Sequence, residues 1–270
     1  MASSQSNELA GTTAVVTGAS SGIGRAIVLE LAAAGANCFV HARRNRAGAE
    51  QVADEVRSLD RTPLVSLCDL ADSSSHSELV AQAWQWQGKV DLWVNNAGAD
   101  VLTGDAAAWT FDEKLAQLWR ADVVGTLSLS RLIGDHMKQR GSGAIVNIGW
   151  DQAEHGMAGD SGQLFAACKG AIMAFSKSLA HSLAPHVRVN CVAPGWIKTA
   201  WGEAASEYWQ QRAKNESLLG RWGTPADVAA AVRFLGSPAA SFITGQVVPV
   251  NGGLRRASCQ SPLAPGEGLV

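Results

Sequence analysis

Residues 12–24 read Thr-Thr-Ala-Val-Val-Thr-Gly-Ala-Ser-Ser-Gly-Ile-Gly. The first six residues, Thr12–Thr17, form a short β-branched run that predicts a buried strand. Glycines then allow a tight turn, and apolar residues recur at helical spacing from Ile23 to Leu31. Because the unpaired N–H groups of a helix N-terminus attract phosphate, this strand, turn and helix predict a site for the pyrophosphate of a dinucleotide.

The rest of the chain repeats this alternation of apolar strands and amphipathic helices. Further strands are predicted at Asn37–His41, Leu64–Cys68, Val90–Val94, Ala144–Ile148, Arg188–Val192 and Gln246–Val250. Helical patterns separate them, most clearly at Thr110–His136 and Gly162–Ala184. Short apolar strands joined by helices are typical of a parallel sheet covered on both faces. We therefore predict an α/β fold: a single Rossmann-type, doubly wound domain with a seven-stranded parallel sheet flanked by helices.

We predict one domain over residues 11–254, because no repeat or second-domain linker is visible. An N-terminal tail at 1–10 and a C-terminal tail at 255–270 flank it. The segment 199–224 is too long for an ordinary loop in a compact α/β domain, which indicates a lid.

Composition excludes several classes of protein. Of 270 residues, 47% are hydrophobic and 17% charged, with a net charge of −2, so a basic nucleic-acid-binding patch is not expected. No apolar stretch approaches the roughly 20 residues that cross a bilayer. The five cysteines stand singly, which argues against a zinc site or a disulfide framework. We expect a cytoplasmic protein without membrane, nucleic-acid or metal partners.

Motifs along the chain resemble those of the short-chain dehydrogenase/reductase family, and the resemblance spans residues 8–254. They are T-G-x-x-x-G-x-G at 17–24, Asp69-Leu70, Asn95-Asn96-Ala97-Gly98, Lys169, Pro194-Gly195 with Thr199, and Gly252-Gly253. The resemblance implies an oxidoreductase with a nicotinamide cofactor and a small-molecule substrate. It also implies a homo-oligomer, a tetramer or dimer, built through the helices at 110–136 and 162–184.

The resemblance also assigns cofactor contacts. Asp69 would hold the adenine, Asn95 would line the groove, and Ile197 and Thr199 would face the nicotinamide carboxamide. The predicted cofactor-binding residues are Gly18, Ser20, Ser21, Gly22, Ile23, Gly24, Arg43, Arg44, Asp69, Leu70, Asn95, Ala97, Gly98, Lys169, Pro194, Gly195, Ile197 and Thr199.

The end of the second strand predicts which cofactor binds. It reads Val40-His41-Ala42-Arg43-Arg44, with no acidic residue before Glu50. An NAD-selective member would place a carboxylate there, whereas Arg43 can fork onto a 2′-phosphate with Arg44 nearby and Ser20 adding a hydroxyl. A solvated basic turn is the plain alternative. We predict NADP(H).

The chemistry site departs from the family. In the family that the chain resembles, a Tyr stands four residues before the Lys; here Phe165 stands four residues before Lys169, so the resemblance implies an atypical member lacking the catalytic Tyr. The family Ser falls near Trp150, although two extra residues separate Asn147 from Phe165. The family's helical Asn falls on Asp122.

Two interpretations remain open. Either the active site is rebuilt around Lys169, Asp151, Asp122 and His155, or the protein is a non-catalytic NADP(H)-binding sensor or scaffold. A carboxylate at Asp151, in a cleft lined by Trp150 and Phe165, would have its pKa raised by desolvation. Simple loop solvation is the alternative for Asp151 and His155.

Several aromatic residues follow the carboxyl ends of predicted strands, where ligands bind in doubly wound sheets. They are Trp150, Trp196, Trp201 and Trp209. A flat, apolar or aromatic substrate would suit them. Tyr208 is expected to pack beside Trp209.

Overall fold

The computed structural model describes residues 7–255, apart from the side chain of Trp201. Its strands are β1 (Thr13–Val16), β2 (Asn37–Ala42), β3 (Pro63–Leu67), β4 (Leu92–Asn95), β5 (Gly143–Ile148), β6 (Val187–Pro194) and β7 (Val247–Val250). They form one parallel sheet in the order β3-β2-β1-β4-β5-β6-β7. The predicted seven-stranded parallel sheet is confirmed.

The strands are predominantly apolar because both faces of the sheet are covered. Successive side chains point to opposite faces, so Ala14 and Val16 pack in one core while Val15 packs in the other. Ile145 and its neighbour Val146 divide between the two cores in the same way.

Helices form the two outer layers. They are α1 (Gly22–Ala33), α2 (Arg46–Ser58), α3 (His76–Gln87), α4 (Phe111–Leu118), α5 (Gly125–Arg140), α6 (Gln152–His155), α7 (Asp160–Leu183), α8 (Ala200–Ala204), α9 (Glu207–Glu216) and α10 (Pro225–Gly236). Apolar faces of α1, α2 and α10 cover one face of the sheet, and those of α3, α5 and α7 cover the other. None of the helices within residues 7–255 is both long and apolar enough to span a membrane.

The helical pattern predicted at 110–136 is interrupted in the structure. A single π turn, Trp119–Val124, joins α4 to α5. It buries the side chain of Asp122, which is 1% exposed. Such turns carry one residue more than the α-helical repeat and often mark functional sites.

The structure differs from the predicted domain organisation at two places. The segment 199–224 contains α8 and α9 rather than irregular chain. The N-terminal tail does not extend to residue 10, because Leu9 is buried and its N–H donates to Ala34 O at 2.9 Å. Residues 256–270 of the predicted C-terminal tail lie outside the described residues.

A buried hydrogen-bond network ties the sheet to two helices. Asn95 and Asn147 stand side by side on β4 and β5, and Asn95 Nδ2 donates to Asn147 Oδ1 at 2.8 Å. Asn95 Nδ2 also donates to Ser130 Oγ on α5, and Asn147 Nδ2 to Ser176 Oγ on α7, both at 2.8 Å. The network fixes α5 and α7 against the strands.

Replacing Asn147 with alanine should destabilise the protein by about 2–3 kcal/mol. The change strands one buried amide hydrogen of Asn95 and removes the donor to Ser176. The free energy of unfolding in urea measures this. Asn215→Ala, at an exposed position, serves as the control and should cost under about 0.5 kcal/mol. Equal losses in the two variants would show that the network contributes little.

Candidate active site

The strand order reverses between β1 and β4, and a groove of about 340 Å³ opens there at the carboxyl ends of the strands. Its walls come from the turn after β1, the ends of β2 and β3, and the segment after β4. The predicted residues that line it are Gly18, Ser20, Ser21, Ile23, Gly24, Arg43, Asp69, Leu70, Ala97, Gly98 and Thr199.

The glycines of the first turn are required by close backbone approach. Gly18 has a φ of +64°, and a Cβ there would lie 2.6 Å from Ala97 Cα. A Cβ at Gly24 would lie 2.2 Å from Gly18 O. Ser21 precedes α1 without a side-chain cap, and no acidic residue stands in the first helical turn. The N-terminus of α1 can therefore hold the phosphates of a dinucleotide.

His41 supports this turn, a role that the sequence analysis did not assign. Gly18 N–H donates to His41 Nδ1 at 3.3 Å, while His41 Nε2 lies 3.1 Å from Cys68 O. A carbonyl only accepts, so Nε2 carries the proton and the imidazole is neutral. Burial lowers the pKa of His41 from 6.5 to about 4. The position of His41 near the end of β2, two residues before Arg43, was the sequence signal for this supporting role.

The basic residues at the end of β2 take different positions. Arg43 is exposed and lines the groove, whereas Arg44 is exposed without lining it. Asp69 lines the groove across from them, and its Oδ1 accepts the N–H of Ala71 at 3.0 Å. Arg43 is therefore the guanidinium available to a phosphate in the groove.

The asparagine that lines the groove is Asn96, not the predicted Asn95. Asn95 is 3% exposed and belongs to the buried network. Asn96 Nδ2 donates to Thr17 O and Gly18 O, both at 3.0 Å, which holds the turn after β1.

A second cavity, the apolar cleft, continues from the groove. It has a volume of about 410 Å³ and shares Ile23, Asn96 and Thr199 with the groove. One wall is the face of α7 that carries residues 161, 165 and 169, each one turn from the next. The predicted residues Pro194, Gly195 and Ile197 line it, together with Trp150, Trp196, Trp209 and Trp222.

The indole wall of the cleft is held by α9. Glu216 accepts hydrogen bonds from Trp196 Nε1 and from Arg212 Nε, both at 2.7 Å. The Arg212 guanidinium lies 5.6 Å from the ring centre of Trp196 and 5.0 Å from that of Trp209. Tyr208 packs edge-on against Trp209, with ring centres 5.2 Å apart.

A buried ion pair lies where the cleft meets the segment after β4. Lys169 Nζ is 3.0 Å from Asp122 Oδ2, and Asp122 Oδ1 accepts the N–H of Ala99 at 2.7 Å. Lys169 lines the cleft beside Phe165, whose ring meets Trp150 edge-on at 6.2 Å between centres. Because the Asp122 side chain is 1% exposed and that of Lys169 13% exposed, each charge depends on the other for stabilisation.

The other two predicted catalytic residues lie outside the cleft. Asp151 is buried with its Oδ2 accepting from Asn251 Nδ2 at 3.1 Å, and burial raises its pKa. It packs beneath Gly195 rather than between Trp150 and Phe165. His155, at the exposed end of α6, does not line the cleft either. No cluster of His, Cys, Asp and Glu within residues 7–255 could hold a metal ion.

Comparison with known proteins agrees with this geometry. A family model described as enoyl-(acyl carrier protein) reductase matches residues 18–255. Cyclohexanol dehydrogenase from Rhodococcus sp. (strain TK6) is 33% identical, over 91% of this chain and 97% of its own length.

Two solved structures are similar to this chain in both fold and sequence. A 7α-hydroxysteroid dehydrogenase complexed with NADH and 7-oxo glycochenodeoxycholic acid has a TM-score of 0.84 and 31% identity, covering 94% of this chain and 98% of its own. A Burkholderia cenocepacia J2315 short-chain dehydrogenase in complex with NADP has a TM-score of 0.82 and 30% identity, covering 91% and 98%. The chain belongs to the short-chain dehydrogenase/reductase family of oxidoreductases.

The buried His41 should make the protein less stable in acid. Its folded pKa of about 4 lies below the unfolded 6.5, so the unfolded state binds the proton first. Stability is therefore lost as pH falls from 6.5 through 4, by up to about 3 kcal/mol. His41→Gln can keep both hydrogen bonds without titrating, and should remove this loss.

Urea unfolding of the parent and the variant at several pH values from neutral to below pH 5 checks this. His155→Gln, the same substitution at an exposed position, is the matched control. An unaltered acid slope in His41→Gln would contradict the assignment.

Proposed function

We propose that the protein is an NADP(H)-dependent oxidoreductase that interconverts a carbonyl and an alcohol on a small ring-containing apolar or aromatic substrate. One observation carries the proposal: the groove runs directly into the apolar cleft, and Lys169 lies in the cleft beside Phe165. In this proposal the active site is rebuilt, with no tyrosine phenol at position 165.

The choice of NADP(H) depends on Arg43. Its exposed guanidinium lines the groove at the end of β2, where an NAD-selective site would present a carboxylate. A guanidinium binds a phosphate through two parallel hydrogen bonds, and Ser20 adds a hydroxyl on the same groove. One of the two similar structures contains NADH and the other NADP, so the choice between the cofactors is argued from the residues at the end of β2.

The mechanism assigns the substrate proton to Lys169. A reduced nicotinamide, when bound, supplies a hydride to the carbonyl carbon. The Lys169 ammonium gives a proton to the carbonyl oxygen, its N–H electron pair stays on nitrogen, and solvent returns the proton. Asp122 holds the Lys169 ammonium in place, since its Oδ2 lies 3.0 Å from Lys169 Nζ while its Oδ1 accepts the N–H of Ala99.

The substrate class follows from the walls of the cleft. Indoles and the Phe165 ring present flat apolar faces that suit a ring, and aromatic pairs of this kind add about 0.5–1.5 kcal/mol beyond area burial. Similarity to a cyclohexanol dehydrogenase supports a cyclic alcohol or ketone.

A non-catalytic sensor is not favoured. A sensor of NADP(H) needs the groove alone, whereas this chain adds a 410 Å³ cleft and its relatives are oxidoreductases. We further propose a cytoplasmic homo-oligomer, a tetramer or dimer through α4, α5 and α7. Trp109, Trp119 and Val124 leave apolar surface exposed in and beside this region. The segment 199–224 serves as the lid over the cleft.

Replacing Arg43 with alanine should weaken NADPH binding about 10- to 100-fold, because a charge-assisted contact to the 2′-phosphate is lost. NADH lacks this phosphate, so its affinity should stay within about twofold. Titration calorimetry with both nucleotides measures the two affinities. Arg57→Ala, an exposed arginine paired with Asp54, is the matched control. Equal weakening for both nucleotides would overturn the NADP(H) assignment.

Lys169→Met tests the reaction itself. The parent should oxidise NADPH with cyclohexanone or 2-tetralone, and the variant should lose about 10²–10⁴-fold in kcat because the proton donor is gone. Absorbance of NADPH at saturating nucleotide gives the rates. Lys177→Met, exposed on the same helix, should behave as the parent.

A second variant distinguishes loss of the proton donor from unfolding caused by the unpaired, buried Asp122 carboxylate. Asp122→Asn combined with Lys169→Met removes both charges, so it should fold and remain inactive. A parent that binds NADPH yet reduces no cyclic ketone would contradict the proposed function.

A further inference from the structure

Few hydrogen-bonding side chains in the apolar cleft are uncommitted. The amide hydrogens of Asn96 are taken by Thr17 O and Gly18 O. Trp196 Nε1 is taken by Glu216, and the Lys169 ammonium is paired with Asp122. Thr199 lies on the groove side, where its Cγ2 would be 3.9 Å from a Cβ on Gly22.

Two side chains are exceptions on the substrate side: Ser161, and Trp150, whose indole N–H has no hydrogen-bond partner within residues 7–255. Ser161 is 6% exposed and lines the cleft, and its hydroxyl has no hydrogen-bond partner within residues 7–255. It stands in the first turn of α7, and the N-cap residue Gly159, which precedes the helix, provides no side-chain cap. The unpartnered hydroxyl of a buried residue at an uncapped helix start can donate to, and accept from, a ligand oxygen.

The position of Ser161 on the helix defines which oxygen it would contact. Ser161, Phe165 and Lys169 follow one another on one face of α7, so Ser161 lies about 12 Å along the axis from Lys169. The Phe165 ring lies between them. Ser161 also borders a neighbouring cavity beside Trp109 and Lys114, which leaves room for a ligand group to extend.

We propose that Ser161 is a specificity-determining residue that binds a second, neutral oxygen at the end of the substrate remote from the reacting carbonyl. This inference depends on the proposed function, which places the ring of the substrate over Phe165. A neutral hydroxyl or carbonyl is specified because Ser161 itself carries no charge, and the opposite charges of Asp160 and Lys114 at the neighbouring cavity offset each other. The preferred substrate is thus a ring compound oxygenated at both ends.

Two probes that differ by one hydroxyl test this: 2-tetralone and 6-hydroxy-2-tetralone. Binding is measured by calorimetry with the protein saturated in NADP⁺, so that no hydride is available. The parent should bind 6-hydroxy-2-tetralone about 2- to 10-fold more tightly than 2-tetralone, the gain of one neutral hydrogen bond. Ser161→Ala should abolish that preference and leave the affinity for 2-tetralone unchanged.

Controls separate this role from a structural one. Ser182→Ala makes the same change at an exposed position of the same helix and should keep the preference. Ser161→Thr retains the hydroxyl and should restore it. Equal affinities for both probes in the parent, or a preference that survives in Ser161→Ala, would overturn the role of Ser161 alone. A parent that binds neither probe would overturn the proposed ring-binding cleft as well.

Discussion

The hydrogen bond between Asn95 and Asn147 joins two central strands at the point where the sheet meets α5 and α7. Each asparagine then reaches a serine on one of those helices. Because all these polar groups are buried, sliding either helix along the sheet would leave a donor or acceptor unpaired, at about 1–3 kcal/mol for each group. Asp122 lies three residues before α5 and Lys169 lies on α7, so the ion pair of the cleft depends on this register.

Much of the fold could be predicted from local pattern. The β-branched run at Thr13–Val16 and the glycines at 18 and 24 correspond to a buried strand and to backbone contacts too close for a side chain. These features are determined by residues that are close together in the sequence, so one sequence is enough to predict them. The groove is predictable for the same reason, since the carboxyl ends of parallel strands meet at one edge.

The chemistry of the cleft was less predictable because it depends on side-chain direction. Asn95 and Asn96 are adjacent, and only the pleat at the end of β4 decides which of them faces the groove. Asp151 was expected in the cleft, but its carboxylate turns toward Asn251, which is remote in sequence. The spacing of Ser161, four residues before Phe165 and eight before Lys169, did place it on the same helical face. Spacing alone does not assign a role to a serine, so the sequence did not identify it as a site residue.

The π turn at Trp119–Val124 has a consequence for how this chain can change by insertion and deletion. A π turn is an α-helix with one residue inserted, so deleting a single residue there would merge α4 and α5 into one regular helix. Because the widened turn absorbs the extra residue, α4 and α5 would keep their directions, and only the turn that carries Asp122 would be rebuilt. The helix would gain regular hydrogen bonds while Asp122 lost its direction toward Lys169. The loss of one codon would therefore replace the turn that directs Asp122 toward Lys169 with a regular α-helix.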